Sequence, residues 1–337
     1  MKVSALITTY NRRKYVFRAI ESALAQTVPV DEIIVIDDGS TDGTSEFLWQ
    51  RYRERVRVCR QENQGVGTAR RRAVEEARGD WVAFLDSDDE WLPERNEEFV
   101  RAAASVTENV AWIFGDTLFV TDGKPEGVSI FHEDGLQVKA EGERLARNFV
   151  GPAWNPGRPA CSLIQSAFIR KSALVELDCF REGLRHTEDF LATMQVASRY
   201  AFFAIPTVVT RLYRTLDLEE SSLELGYLGT LDQCQARLMG SALAAKVAGR
   251  DPWGRIHEEM VRSICKIRAE ENLPFRRLAL EQFKFGVSLN SLLFMAAALC
   301  GAPMVRAGLA TKQKMRDLRK EIIEVNDGST AGRSSAP

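Results

Sequence analysis

The feature that most constrains this chain is an alternation in its first hundred residues. Short runs of apolar and β-branched residues take turns with segments whose apolar positions fall at helical spacing. Residues 3–8 read as a buried strand, and Val16, Ile20, Ala23 and Leu24 give residues 15–24 one apolar helical face. Residues 33–36, 56–58 and 81–85 read as further strands, separated by helical stretches over 45–53 and 68–77, the latter closed by Gly79. Pro93 then opens a helix towards Ala104. This order predicts right-handed βαβ units and a mostly parallel sheet flanked by helices. Ligands of such sheets bind beyond the carboxyl ends of the strands. Polar residues collect there: Thr8-Thr9-Tyr10-Asn11 after the first strand, Asp37-Asp38 after the second, Asp86-Ser87-Asp88 after the fourth. Three strand ends are thus aimed at one crevice.

The residue types at those ends limit the chemistry. Asp86 and Asp88, spaced by one residue where a strand becomes a loop, suit a hard divalent ion that takes its remaining ligands from phosphate and water. Such an ion acts as a Lewis acid on a departing diphosphate. In Asp37-Asp38-Gly39-Ser40, the glycine and serine suit a sharp turn into a helix, with Ser40 or Thr41 as its cap. Capping leaves the two aspartates unexplained, and a carboxylate there can accept a hydrogen bond from a base ring. Gly65-Val66-Gly67-Thr68-Ala69-Arg70 starts like a dinucleotide fingerprint, but Arg70 stands where the third glycine belongs. A helix N-terminus followed by Arg70-Arg71-Arg72 favours an anionic diphosphate instead.

Together, Ile7-Thr8-Thr9-Tyr10-Asn11, the run from Asp37 to Thr44, Asn63-Gln64-Gly65 and Asp86-Ser87-Asp88-Asp89 resemble the family 2 glycosyltransferases, densely over residues 3–105 and more loosely to about 220. The resemblance implies the Rossmann-like GT-A fold and an inverting transfer from a nucleoside-diphosphate sugar, with uridine as the leading base and Mn²⁺ or Mg²⁺ as cofactor. It implies that Thr8 and Tyr10 pack around the nucleoside and that Asp38 contacts the base. Arg70 would meet the diphosphate or base region, Asp86 the ribose or metal, and Asp88 the metal directly. His186-Thr187-Glu188-Asp189 looks like the family's acidic pair, with Asp189 as catalytic base and Glu188 its neighbour. The chemistry asks for such a group, because an attacking hydroxyl must shed its proton. Many relatives carry Tyr-Arg-x-His after the next strand; here Tyr213-Arg214 is followed by Thr215-Leu216-Asp217 and no histidine.

The expected organisation is a nucleotide-sugar-binding half over 1–105, an acceptor-binding half over 106–222, a helical region over 223–325 and a disordered tail over 326–337. Within the second half, residues 110–120 and 201–210 read as strands and 188–198 as a helix. Trp154 and His186 are candidates for acceptor contact, the former through its flat face. Residues 286–305 carry no charge, but Gly301 and Pro303 cut the helix short of a bilayer. A buried bundle helix is one reading; a helix lying in the membrane interface, near a lipid-linked acceptor, is the other. The N-terminus lacks a signal-peptide pattern, so the chain is expected in the cytoplasm or at the inner membrane face.

Composition narrows the alternatives. A net charge of −2 over 337 residues argues against a nucleic-acid binder. Six scattered cysteines without a C-x-x-C pair read as reduced core residues. A sugar nucleotidyltransferase needs a Gly-rich loop after the first strand, which Thr8-Thr9-Tyr10-Asn11 is not. A sugar-nucleotide-binding scaffold without activity has no use for intact Asp86, Asp88 and Asp189. The expected acceptor is the hydroxyl of a glycan or lipid-linked saccharide, as in polysaccharide or glycoconjugate synthesis.

Overall fold

The computed structural model describes residues 1–121, 123–133, 136–145, 163–180 and 188–214. The expected helical region over 223–325, the tail, and the candidates Trp154 and His186 lie outside these residues.

The alternation seen in the sequence folds as expected. Strand β1 (Val3–Thr9) leads into helix α1 (Val16–Leu24), strand β2 (Glu32–Asp37), helix α2 (Thr44–Tyr52), strand β3 (Arg57–Arg60), helix α3 (Val66–Glu76) and strand β4 (Trp81–Asp86). Every residue of β1 is buried, as a strand covered on both faces requires. Helix α1 turns Val16, Ala19, Ile20 and Ala23 into the core. The expected cap of α2 is corrected: its N-terminus is Gly43 in the left-handed region, without a side-chain cap. Ser40 is drawn away because its amide donates to Asp37 Oδ1 at 2.9 Å and its hydroxyl accepts from Asn11 N at 2.9 Å. The helix after Pro93 begins at Arg95, not at the proline; Pro93 uses its carbonyl to accept from Thr27 N at 2.9 Å.

A short strand β5 (Glu90–Trp91), unforeseen, precedes helix α4 (Arg95–Ser105), and the long strand β6 (Val110–Thr121) follows. Then come β7 (Lys124–Ser129), a turn of helix α5 (Ile130–Glu133), β8 (Glu143–Leu145), a 3-10 turn (Ile164–Ser166), β9 (Ala167–Arg170), helices α6 (Lys171–Glu176) and α7 (Glu188–Ala197), and strand β10 (Ala201–Arg214). The described strands form one sheet in the order β3-β2-β1-β4-β9-β6-β10-β5, with β7 beside β6 and β8 beside β10. Strands β1 to β4 are mutually parallel, whereas β9 runs antiparallel to both β4 and β6. The sheet is therefore parallel through its first half and mixed beyond it.

Two aromatic stacks pin the join between the halves. Phe168 of β9 lies flat on Trp81 of β4 at 5.1 Å between ring centres, and on Phe99 of α4 at 5.4 Å. Both described cysteines, Cys59 and Cys179, are free thiols. Among the described residues no helix is long and apolar enough to cross a membrane.

Candidate active site

Strand order fixes where the crevice lies. From β1 the chain steps outward through β2 to β3, then returns to the other side of β1 as β4, a reversal of the kind that opens a ligand crevice at the strand ends. Register brings the polar ends level: Thr8 pairs with Asp86 and Thr9 with Asp37. Thr8 is buried and Tyr10 exposed, so the two expected nucleoside contacts occupy the floor and the lip of this end of the sheet.

The two aspartates of β2 brace the loops. Asp37 accepts from Ser40 N and, through its other oxygen, from the Ser45 hydroxyl. Asp38 accepts from Gln61 Nε2 at 2.7 Å, Gln64 N at 3.0 Å and Gly65 N at 2.8 Å. The carboxylate of Asp38 thus lies against the N-terminus of α3. Gly39 between these loops takes φ +82°, and a Cβ on it would lie 2.8 Å from Asn63 N.

Behind Asp38 stands a buried charge cluster. Arg70 of α3 is 4% exposed. Its guanidinium donates to Asp86 Oδ1 at 2.7 Å and to Glu188 Oε1 at the start of α7. Asp86 is held on its other oxygen by the Gln165 side-chain amide. Burial works against Arg70's charge, but Asp86, Glu188 and Asp189 outweigh it and raise its pKa above the ordinary value. Glu188 moves the other way: burial, reinforced by the charges of Asp189 and Asp86, pushes it up to about 7 despite Arg70. These shifts agree once the charges are counted, since one guanidinium faces three carboxylates and satisfies itself more fully than it satisfies them. Asp189 is half-buried beside Glu188, and its backbone carbonyl accepts from the Thr193 hydroxyl at 2.9 Å. The resemblance implied Arg70 at the diphosphate or base region; in the structure its two terminal nitrogens donate to Asp86 and Glu188.

The outer carboxylates meet a second set of cations. Asp88 lies 3.8 Å from Arg12 Nε, and Arg18 donates to the Asp88 carbonyl. Burial and then the neighbouring Asp86 raise the Asp88 pKa, against the pull of Arg12 and Arg18. Its side chain keeps 37% of its exposure, so solvent screens part of that effect. Asp89 points inward, accepting from Tyr213 N at 3.0 Å, and Glu90 accepts from the Tyr213 hydroxyl at 2.8 Å. The Arg18 guanidinium caps the Tyr213 ring at 3.4 Å. Tyr213 thus ties the end of β10 to the acidic loop.

Among the described residues no three His, Cys, Asp or Glu side chains converge as a metal cage. What the site has is a carboxylate pair, Asp86 and Asp88, in which burial and then the charge of Asp86 raise Asp88. A divalent ion that draws most of its ligands from diphosphate and water needs only one or two carboxylates, so these residues fit one. Sequence reasoning missed Gln165, Arg12 and Arg18. Nothing in the pattern around Gln165 signals a site, whereas Arg12 and Arg18 closely follow the first strand end and could have been weighed.

With this geometry in hand, comparisons with known proteins bear on the family. Residues 4–139 match the model described as Glycosyl transferase family 2. A putative teichuronic acid biosynthesis glycosyltransferase, TuaG, of Bacillus subtilis (strain 168) is 39% identical over 127 residues, 36% of this chain and 50% of that one. The uncharacterized glycosyltransferase YibD of Escherichia coli (strain K12) is 30% identical over 231 residues, 63% of this chain and 64% of that one. The chain spans between 35% and 50% of the length of relatives such as EpsH and TuaG of Bacillus subtilis. Among solved structures, S. aureus TarS 1–349 in complex with UDP superposes with a TM-score of 0.53 at 19% identity, covering 83% of each chain, a likeness that shows the GT-A type of fold. Residues 4–139, the segment that supplies Thr8, Asp38, Arg70, Asp86 and Asp88, thus resemble glycosyl transferase family 2.

Proposed function

We propose that the chain is an inverting glycosyltransferase that moves a sugar from a nucleoside-diphosphate donor, uridine-based, to an acceptor hydroxyl. The observation that carries this reading is the buried Arg70, which ties the strand-end carboxylate Asp86 to the acidic pair of α7 in one cluster. Donor-side and base-side carboxylates are thereby held in fixed relation, as in-line displacement needs.

In this reading residues 1–105 bind the donor and residues 106–222 the acceptor. Thr8 and Tyr10 line the nucleoside, and Asp38 presents its remaining lone pairs to the base. Asp88, with Asp86 beside it, would hold Mn²⁺ or Mg²⁺, which when bound neutralises charge on the departing diphosphate. Asp189 takes the proton of the acceptor hydroxyl as its oxygen bonds to the anomeric carbon. The bond from that carbon to the diphosphate oxygen breaks on the opposite face, and its electron pair leaves with the nucleoside diphosphate. Glu188, buried and paired with Arg70, is a positioning neighbour rather than the base. Solved complexes of TarS with UDP and with UDP-GlcNAc support a uridine donor. Relatives named for teichuronic acid biosynthesis and as a chondroitin synthase support a glycan acceptor. A lipid-linked acceptor would bring the protein to the inner membrane face.

Calorimetric titration of UDP, GDP, CDP and TDP, with and without Mn²⁺, tests the donor site. Binding of UDP that strengthens with Mn²⁺ is expected. Binding of none by folded protein would refute the proposal, and preference for another base would overturn the uridine assignment.

A further inference from the structure

We infer that Gln165 is a specificity-determining residue of the donor site, whose side-chain oxygen accepts a hydrogen bond from a hydroxyl of the donor. The inference rests on the donor reading above and adds to it a residue that neither the motifs nor the family match includes.

Three observations converge on Gln165. First, its backbone is locked. Its carbonyl accepts from the Thr210 hydroxyl at 3.1 Å, Trp91 Nε1 at 3.3 Å and Arg95 Nη2 at 3.5 Å, and the same Arg95 nitrogen holds the Ala167 carbonyl at 2.6 Å. Arg95 is fully buried, lies 3.9 Å over the Trp91 ring, and burial alone drives its pKa well below the ordinary value. An arginine so placed, with backbone carbonyls as its partners, serves to fix the 3-10 turn that carries Gln165.

Second, the orientation of the amide is decided by chemistry. Its Nε2 donates to Asp86 Oδ2. An ionised carboxylate only accepts, so the NH₂ end must face it and the oxygen must point elsewhere. Third, that oxygen, Oε1, is buried and has no hydrogen-bond partner among the described residues, although the whole residue is only 9% exposed. Buried polar atoms are nearly always paired, and an unpaired acceptor bears its full desolvation cost until a donor arrives. The oxygen shares a planar amide with the nitrogen on Asp86, so it lies buried beside that strand-end carboxylate. Asp86 and Gln165 thereby offer adjacent acceptors, a pattern suited to hydroxyl donors. Ribose hydroxyls and hexose hydroxyls share this chemistry.

The test is a binding cycle in Mn²⁺ buffer. Wild type and Gln165→Leu are titrated with UDP, 2′,3′-dideoxy-UDP and UDP-N-acetylglucosamine. Losing one hydrogen bond of this kind should weaken binding about tenfold. If Gln165→Leu weakens UDP but not the dideoxy analogue, the coupled hydroxyl is on the ribose. If it weakens only UDP-N-acetylglucosamine, the hydroxyl is on the sugar. Either outcome supports the inference. Equal weakening of all three ligands, or of none, overturns it and leaves the donor reading standing, because wild type still binds UDP. A wild type that binds none of the three overturns both. Should Gln165→Leu fail to fold, Gln165→Met, unbranched and of similar length, carries the same readout.

Discussion

Replacing Arg70 by methionine isolates what the central cluster contributes. Methionine keeps most of the buried volume and removes the charge that three carboxylates share. Glu188 already sits at about 7, from an ordinary 4.5, because burial outweighs its pairing. At about 1.4 kcal/mol for each tenfold change in proton affinity, that rise corresponds to about 3 kcal/mol. The sign follows from proton counting. Between the unfolded and folded values the native state holds more protons, so Glu188's contribution is present below about pH 4.5 and lost as pH rises through about 7. Arg70 is the main force holding Glu188 down, so Arg70→Met should raise the Glu188 pKa further and deepen this dependence. At pH 8 the variant leaves buried carboxylates without their partner, which costs about 3–5 kcal/mol. For a unit of this size that corresponds to a melting-temperature loss of about 10 °C. Thermal melts in metal-free buffer from pH 5 to 8 give the measurement. The gap between variant and wild type should narrow as pH falls and Glu188 takes up its proton, and Arg70→Met/Glu188→Gln should recover much of the loss at pH 8. A variant as stable as wild type at pH 8, or a gap that widens on acidification, would refute the reasoning.

Three further outcomes are expected. Asp88→Ala removes the Mn²⁺-dependent part of UDP binding and leaves the melting temperature unchanged or higher, since it relieves repulsion with Asp86 and Asp89; a variant whose binding still responds fully to Mn²⁺ sinks the assignment. Asp189→Asn lowers turnover at least about 100-fold while UDP affinity, read by calorimetry, stays within error; parental turnover would move the base elsewhere. Gly39→Ala forces a Cβ to 2.8 Å from Asn63 N at φ +82° and should cost about 2 kcal/mol or more in urea denaturation, so a loss below about 0.5 kcal/mol contradicts the strained loop.

What the sequence determined by itself is the frame. Apolar periodicity is a local property, readable without knowing any partner, and it placed β1, α1, β2, α2, β3, α3 and β4 to within a few residues. It also showed that three strands end in polar residues, because a strand buried on both faces leaves its polar groups at its ends. The long strand β6, helix α7 and strand β10 were legible for the same reason. Only the tertiary structure decided which polar group meets which. Asp38 reads as an open acceptor in the sequence, yet the loop before α3 folds back and fills it with two backbone amides. Arg70 reads as a phosphate ligand, yet α7 delivers Glu188 to it from 118 residues away. Gln165 carries no motif, and reaches Asp86 across 79 residues because β9 inserts antiparallel beside β4. Periodicity encodes which face is buried, and burial is roughly additive along the chain. Pairing of charges depends on strand order and register, set by the whole sheet at once, so the site's wiring appears only when the sheet is assembled.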